Sequence, residues 1–226
     1  MSQWTQLGFQ DRISTIREEF SYFHDFANLI LLFIIVVVLR FIIKITIANF
    51  TNKNLIQGHV LELIWTLVPG LILVQLALPS LVLLYTLEES NSPTNLTIKV
   101  LGHQWYWSYR FPEIHQNSID FDCYIVPASD QRQNSFRLLE TDNIVSLPYL
   151  LTTRLLVSSR DVLHSWTIPA LGVKADATPG RLNQLFLSSH LPGIYFGQCS
   201  EICGANHRFI PIIIQFLSFD SWISTT

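Results

Sequence analysis

In the first ninety residues the apolar positions come in long runs, and after that they come in short ones. Phe26 to Leu39 is uncharged, and its apolar pattern continues through Arg40 and Lys44 to Phe50. The uncharged part alone falls short of the roughly 20 residues that a membrane-spanning helix needs, and the run including Arg40 and Lys44 reaches that length. Leu63 to Tyr85 carries no formal charge and is long enough by itself. Spans are therefore placed at about 26–48 and 62–87, joined by the polar stretch Asn49–His59, as a transmembrane hairpin over 26–90. Pro69 and Pro79 are predicted to kink the second span, because each removes a backbone donor. Lys44 can snorkel to the head groups, whereas Arg40 in mid-span needs a protein partner.

The run Glu88-Glu89-Ser-Asn-Ser-Pro-Thr-Asn is turn-rich and reads as a hinge. Beyond it, Leu96–Val100, Phe121–Val126, Arg137–Glu140, Leu150–Ser158, Gln184–Ser188, Gly193–Gly197 and Pro211–Leu217 are short, rich in branched and aromatic residues, and separated by Pro, Gly, Asn and Asp. That pattern predicts an all-β sandwich or small barrel over 91–226. In the aromatic run His103–Tyr109, a strand would put Trp105, Trp107 and Tyr109 on one face and Tyr106 on the other. Residues 1–25 read as a polar leader, with Trp4, Phe9, Phe20, Tyr22 and Phe23 as anchors at a membrane face or as a loosely ordered tail. Their charges and the lack of an apolar core predict no cleavable signal.

Composition strengthens the membrane reading. Hydrophobic residues are 49% and charged residues only 14%, against roughly a quarter charged in ordinary soluble domains. A net charge of −3 argues against nucleic-acid binding, which needs a basic face. Lys44 and Lys53 flank the interhelical loop and no acid lies between Lys44 and Glu62, so the loop is expected on the positive-inside face, with both termini opposite.

Three cysteines are too few for a disulfide scaffold. Cys123 is read as a small buried strand residue. Cys199, Cys203 and His207 fall at successive intervals of four, within Gly197-Gln-Cys-Ser-Glu-Ile-Cys-Gly-Ala-Asn-His-Arg-Phe209, and His164 offers a fourth donor upstream. Two thiolates and two imidazoles fit a closed structural zinc site. They also fit a pair of copper ions bridged by the thiolates, each capped by one imidazole. Cys199 and Cys203 could instead form a redox disulfide, although the usual reactive pair has two intervening residues.

The thirteen-residue run resembles the copper-binding loop of the cytochrome c oxidase subunit II family, and His164 stands where that family has its first histidine ligand. The similarity extends through Leu-Gly-Phe-Gln-Asp at 7–11, Phe-His-Asp at 23–25, Ile-Trp-Thr at 64–66, Leu-Pro-Ser-Leu at 78–81 and Gly-His-Gln-Trp-Tyr-Trp-Ser-Tyr at 102–109. It implies a Greek-key, cupredoxin-like barrel. It implies a dinuclear copper centre held by His164, Cys199, Cys203, His207 and the backbone carbonyl of Glu201, whose carboxylate would reach a magnesium ion shared with the catalytic subunit. The family also has a methionine ligand where this chain has Ile210. Since Met1 is the only methionine and mitochondrial codes differ in how one isoleucine-like codon is read, position 210 is expected to be methionine in the mature protein. Arg40 and Arg208 could be similar artefacts of translation.

By the same resemblance Trp105 receives electrons from cytochrome c, which pass through the copper pair to haem in the catalytic subunit. Glu62 would stand at the mouth of a proton path. A basic cytochrome c would dock on an acidic surface, for which Tyr106, Asp120, Asp122, Glu140, Asp142 and Asp161 are candidates, with Arg110 and Arg160 opposing. After Ser90 there are ten acids against nine bases, so the overall bias is weak. The short start and compact loops imply the mitochondrial inner membrane, with the β domain and both termini in the intermembrane space. The alternative is a copper-free subunit of the quinol-oxidase type that keeps the fold for assembly. All four side-chain donors are present, which argues against it.

Overall fold

The structure, a computed structural model, describes residues 4–49, 52, 54, 56–88, 94–112, 119–131, 133 and 135–225. Two long helices come first, α1 (Thr15–Ile47) and α2 (His59–Glu88). At about 1.5 Å per residue each exceeds the roughly 30 Å of hydrocarbon in a bilayer. From Phe26 onward in α1 and from Leu63 onward in α2 the side chains are mainly apolar, and Leu32, Phe33, Ile43, Leu63, Leu73 and Leu81 are all exposed on this chain. Helices of that kind belong in lipid or against partner helices. α2 continues through Pro69 and Pro79. Lys53 and Glu89–Pro93, part of the expected loop and hinge, lie outside the described residues.

The chain forms two compact units: Glu19–Tyr85, and the residues up to Glu18 together with Thr86 onward. α1 thus begins inside the stretch read as a leader, and the physical reason lies in the second unit. Ser14 caps the helix by accepting from Arg17 N (3.1 Å), and its hydroxyl donates to Leu171 O (2.7 Å). His190 N donates to Ile13 O (2.9 Å). Ile13 and Ser14 are buried there, beside Gly172, where φ is +70° and a Cβ would come within 3.1 Å of Arg17 Cα. Residues 13–17 are therefore packed onto the β domain, a role that no local pattern announces.

Among the described residues the β domain has ten strands: β1 (Leu96–His103), β2 (Tyr106–Arg110), β3 (Asp120–Cys123), β4 (Val145–Pro148), β5 (Thr153–Ser159), β6 (His164–Ile168), β7 (Val173–Ala177), β8 (Asn183–Leu187), β9 (Gly193–Gln198) and β10 (Pro211–Leu217). They form a five-stranded sheet ordered β3-β2-β1-β5-β8, a three-stranded sheet ordered β4-β10-β9, and the pair β6-β7. β1 lies parallel to β5 and β10 parallel to β4, so sequence-distant strands become neighbours through crossed connections, as in a Greek-key, cupredoxin-like sandwich. Alternation sets which side faces in. Ile98 and Val100 of β1, Trp107 of β2, Val157 of β5 and Phe216 of β10 join one core.

Two strand expectations change. Arg137–Glu140 is a turn: Leu139 N donates to Phe136 O (3.1 Å), Leu138 has φ +66°, and the Glu140 carboxylate accepts from Phe136 N (3.1 Å). Trp105 does not share a strand face with Trp107 and Tyr109. It sits in the two-residue turn between β1 and β2, while Trp107 and Tyr109 point into the core and Tyr106 faces outward, partly covered. The chain ends in a short helix, α3 (Phe219–Thr225), started by Ser218 accepting from Ser221 N (3.3 Å).

Removing the Phe216 side chain should cost the β domain about 3–5 kcal/mol, because the ring is buried in a packed interior that cannot close over the gap. Leu32→Ala on α1 should leave that transition in place. Denaturant unfolding of the detergent-solubilised chain, followed through tryptophan near-ultraviolet dichroism, separates the two.

Candidate metal centre

The loop after β9 carries Cys199, Glu201 and Cys203, and the short 3-10 turn His207–Phe209 carries the last histidine. β6 begins with His164. Because β6 lies beside the end of β9, with Ser200 N donating to Ser165 O (3.0 Å), His164 meets a loop 35 positions further along. Donor atoms of His164, Cys199 and Cys203 all lie within 4.8 Å of one another, and all three residues are buried. His164 Nδ1 is 3.8 Å from Cys199 Sγ, and His207 Nδ1 is 3.6 Å from Cys203 Sγ. Each thiol therefore faces one imidazole. The Glu201 carbonyl points inward at 3.4 Å from Cys199 Sγ, while its residue is exposed.

The surroundings fix these groups. Asp161 Oδ1 stands 2.8 Å from His164 Nε2 and accepts from Val162 N (2.6 Å), and Oδ2 accepts from Gln104 N (2.6 Å). A carboxylate at Nε2 keeps the ring proton there and leaves the Nδ1 lone pair facing the sulfur, as metal-binding histidines require. Gly102 makes room for the ring, since a Cβ there would lie 2.9 Å from His164 Cδ2. Gly197 lets β9 pass β6, because a Cβ would collide with the Thr167 carbonyl. Ile210 is buried, and its carbonyl accepts from Cys199 N (3.0 Å). None of Gly102, Gln104 and Gly197 was singled out from the sequence, although two of them stand in the Gly-His-Gln-Trp run.

Protonation follows the same geometry. Burial pushes the Cys199 thiol up, but hydrogen bonds from His164, from the Glu201 and Ser165 backbone and from His207, which favour the thiolate, more than reverse this, to about 7. Cys203 is driven up to about 12, by burial and by the neighbouring Cys199 charge. For His164 burial acts downward, and Cys199 and Asp161 outweigh it, so the imidazole titrates above its ordinary range. Two buried thiols side by side do not both ionise readily without a cation between them, so soft donors, burial and spacing fit a thiolate-binding metal. All three cysteines are free.

The other expected residues are spread more widely. The Trp105 indole lies against Gly204 of the ligand loop, where a Cβ would come within 3.3 Å of Nε1 and Cζ2. Tyr106, Asp120 and Asp122 line one groove of about 450 Å³, shared with His103, Arg110 and Arg160. Arg110 pairs with Asp120 at 2.8 Å. Asp122 accepts from Ser108 (2.6 Å), Asp142 from Tyr124 N (2.8 Å), and Glu140 closes the turn described above. Glu62 lies in the first turn of α2, partly exposed, 3.5 Å from His59 Nδ1. Cys123 is buried on β3 and donates to Asn143 O (3.4 Å), which agrees with a plain core role.

Gly102→Ala should destabilise the domain by about 1–3 kcal/mol and lower its metal stoichiometry, since the new methyl and the His164 ring compete for one space. Gly70→Ala, with nothing within 4 Å of the new methyl, is the control. In the metal-free chain the Cys199–Cys203 pair should lose its protons in two well-separated steps, the first below the ordinary thiol range and the second well above it, and Cys199→Ser should leave the pair's position with a single step in a thiolate absorbance titration. The sign follows from the lowered Cys199 value. Between about 7 and its ordinary 9.0 the folded chain holds fewer protons than the unfolded one, so this contribution to stability is lost as pH falls through about 7.

Comparison with known proteins covers both units. Residues 96–217 match the family model described as cytochrome c oxidase subunit II, periplasmic domain, and residues 2–83 match the model of its transmembrane domain. The second match takes in most of both apolar helices, so the chain is a membrane protein. Cytochrome c oxidase subunit 2 of Drosophila melanogaster is 49% identical over 228 residues, covering 100% of this chain and 99% of that one. The subunit from Simulium vittatum is 48% identical over 215 residues, covering 95% and 93%. Among solved structures, the periplasmic domain of subunit II of the Bradyrhizobium japonicum cytochrome oxidase is similar with a TM-score of 0.54 and 39% identity, covering 60% of this chain and 94% of that one. Two apolar helices, a sandwich with crossed connections, and two thiols faced by two imidazoles agree with these matches throughout: the chain belongs to the cytochrome c oxidase subunit II family.

Proposed function

We propose that the chain takes electrons from cytochrome c at a dinuclear copper centre and hands them to haem in the catalytic subunit of its oxidase. Membership of the family implies a copper centre and a place in a haem-copper oxidase complex. The pairing of one imidazole with each of two adjacent thiols carries the finer reading, because a thiolate pair capped at both ends suits two soft ions better than one tetrahedral ion. His164, Cys199, Cys203 and His207 would hold the pair, with the Glu201 carbonyl. When bound, such a centre supplies one-electron uptake and release. The chain's own part is to keep the donors still, which the Asp161 bond to His164 and the packing of Gly102 and Gly197 support.

Trp105 serves as the point where electrons come in. Its ring joins the turn between β1 and β2 to the ligand loop at Gly204, a van der Waals path from the partly exposed surface inward. The docking surface for a basic cytochrome c is Tyr106, Asp122, Asp142, Glu140 and Asp161, with Asp120 contributing least because Arg110 neutralises it. The exposed Glu201 carboxylate reaches magnesium at the catalytic subunit, hard oxygen suiting that ion as soft sulfur suits copper. Residue 210, buried beside the Cys199 backbone, is methionine in the mature protein. Glu62 gathers protons at the start of α2. The chain resides in the mitochondrial inner membrane with the β domain and both termini in the intermembrane space.

Metal analysis and electron paramagnetic resonance on the purified complex test the reading. Two coppers sharing one unpaired electron are expected, and a copper-free cluster in a complex that oxidises cytochrome c at full speed would sink it. Trp105→Phe should slow electron uptake at least tenfold with the copper signal unchanged. Raising salt should weaken cytochrome c binding, since exposed charges are screened beyond about 10 Å at 0.1 M. A peptide mass over residues 209–226 decides the identity of position 210.

A further inference from the structure

The two loops that bear the metal donors are joined outside the donor cluster by a line of hydrogen bonds. It runs from His164 Nε2 to Asp161 Oδ1 (2.8 Å), from Asp161 Oδ2 to Gln104 N (2.6 Å), and from Gln104 Nε2 to Cys203 O (2.7 Å). Gln104 is the link that belongs to neither loop. It sits in the turn between β1 and β2, its backbone tied to the His164 side and its amide to the Cys203 side, 99 residues away in sequence. The same turn carries Trp105. Next to Cys203, Gly204 has φ +132°, a conformation suited to glycine. A Cβ there would meet Gln104 Nε2 at 3.1 Å as well as the indole at 3.3 Å. The amide and the indole therefore press on one peptide of the ligand loop.

We infer that Gln104 is a positioning residue, a clip that holds the Cys203–Gly204 peptide against the Trp105 ring and fixes the spacing of the two donor-bearing loops. A glutamine suits the task for a chemical reason. Its amide donates to a carbonyl without adding charge beside the thiols, and its length spans from the turn to the loop. Glutamate at the same place has the length but no donor, and its charge would oppose the Cys203 carbonyl. The backbone donor to Asp161 survives any side-chain change, so substitution isolates the clip's arm to Cys203. The clip rests on reading the cluster as the copper site only for its effect on electron uptake. Its mechanical effect stands apart from that reading.

The test uses the intact oxidase carrying Gln104→Glu and, separately, Gln104→Ala. Amide hydrogen exchange in residues 199–209 should rise about three- to tenfold in both, with β8 (183–187) unchanged, as expected for loss of one hydrogen bond. Turnover at saturating cytochrome c should fall in both while KM stays within about twofold, since spacing rather than docking is disturbed. Unchanged exchange over 199–209 in both variants would overturn the clip. So would a rise shared equally by β8, which marks a general stability role, or a loss confined to KM, which marks a docking contact. A cluster found free of copper whose local exchange still rises would sink the functional reading and leave the clip standing.

Discussion

Two sulfur atoms held close together in a buried corner set the terms for everything around them. Both want to be thiolates if a metal is to bind, and burial together with mutual repulsion resists the second ionisation, which is why Cys203 is driven up while hydrogen bonds from His164 and its neighbours bring Cys199 down. A cation between them relieves that conflict, and the surrounding structure makes sense as the means of keeping the donors in place until one arrives. Asp161 sets the His164 proton on the far nitrogen, Gly102 lets the ring approach, and Gly197 lets β9 pass close enough to β6 for its loop to reach the ring.

A sandwich is well suited to this because its core is made of strands distant in sequence. β1 pairs with both β2 and β5, so the turn bearing Gln104 and Trp105 stands beside the end of β5, from which the chain runs through Asp161 to His164. Paired strands hold the bases of the donor-bearing loops, and a geometry that changes little with charge would suit a site that passes electrons. The helices face a different constraint. They satisfy most of their backbone groups internally and present mainly apolar side chains, so they carry the membrane anchorage.

The acids beside the site show how little a charge count says about a surface. Asp120 is spent on Arg110, Asp122 on Ser108 and Asp142 on the backbone of Tyr124. Asp161 belongs mainly to His164, Val162 and Gln104. A basic partner would meet carboxylates already oriented by internal bonds, which narrows the arrangements of its lysines that fit.

Local features were legible in the sequence because local physics determines them. Long apolar runs, the first one interrupted by Arg40 and Lys44, marked the two helices, short branched segments marked the β class, and intervals of four marked Cys199, Cys203 and His207 as candidate donors on one loop. Resemblance of the ordered motifs then pointed to copper, where spacing alone left zinc and a disulfide open. Tertiary structure decided what depends on which strands become neighbours. It brought His164 to the loop 35 residues on, made Gln104 a bridge across 99, folded Arg137–Glu140 into a turn, and packed residues 13–17 against Leu171 and Gly172. Connectivity sets distances within a few residues, whereas contacts across tens of residues exist only once sheet order is chosen, and no single stretch of the chain holds that choice.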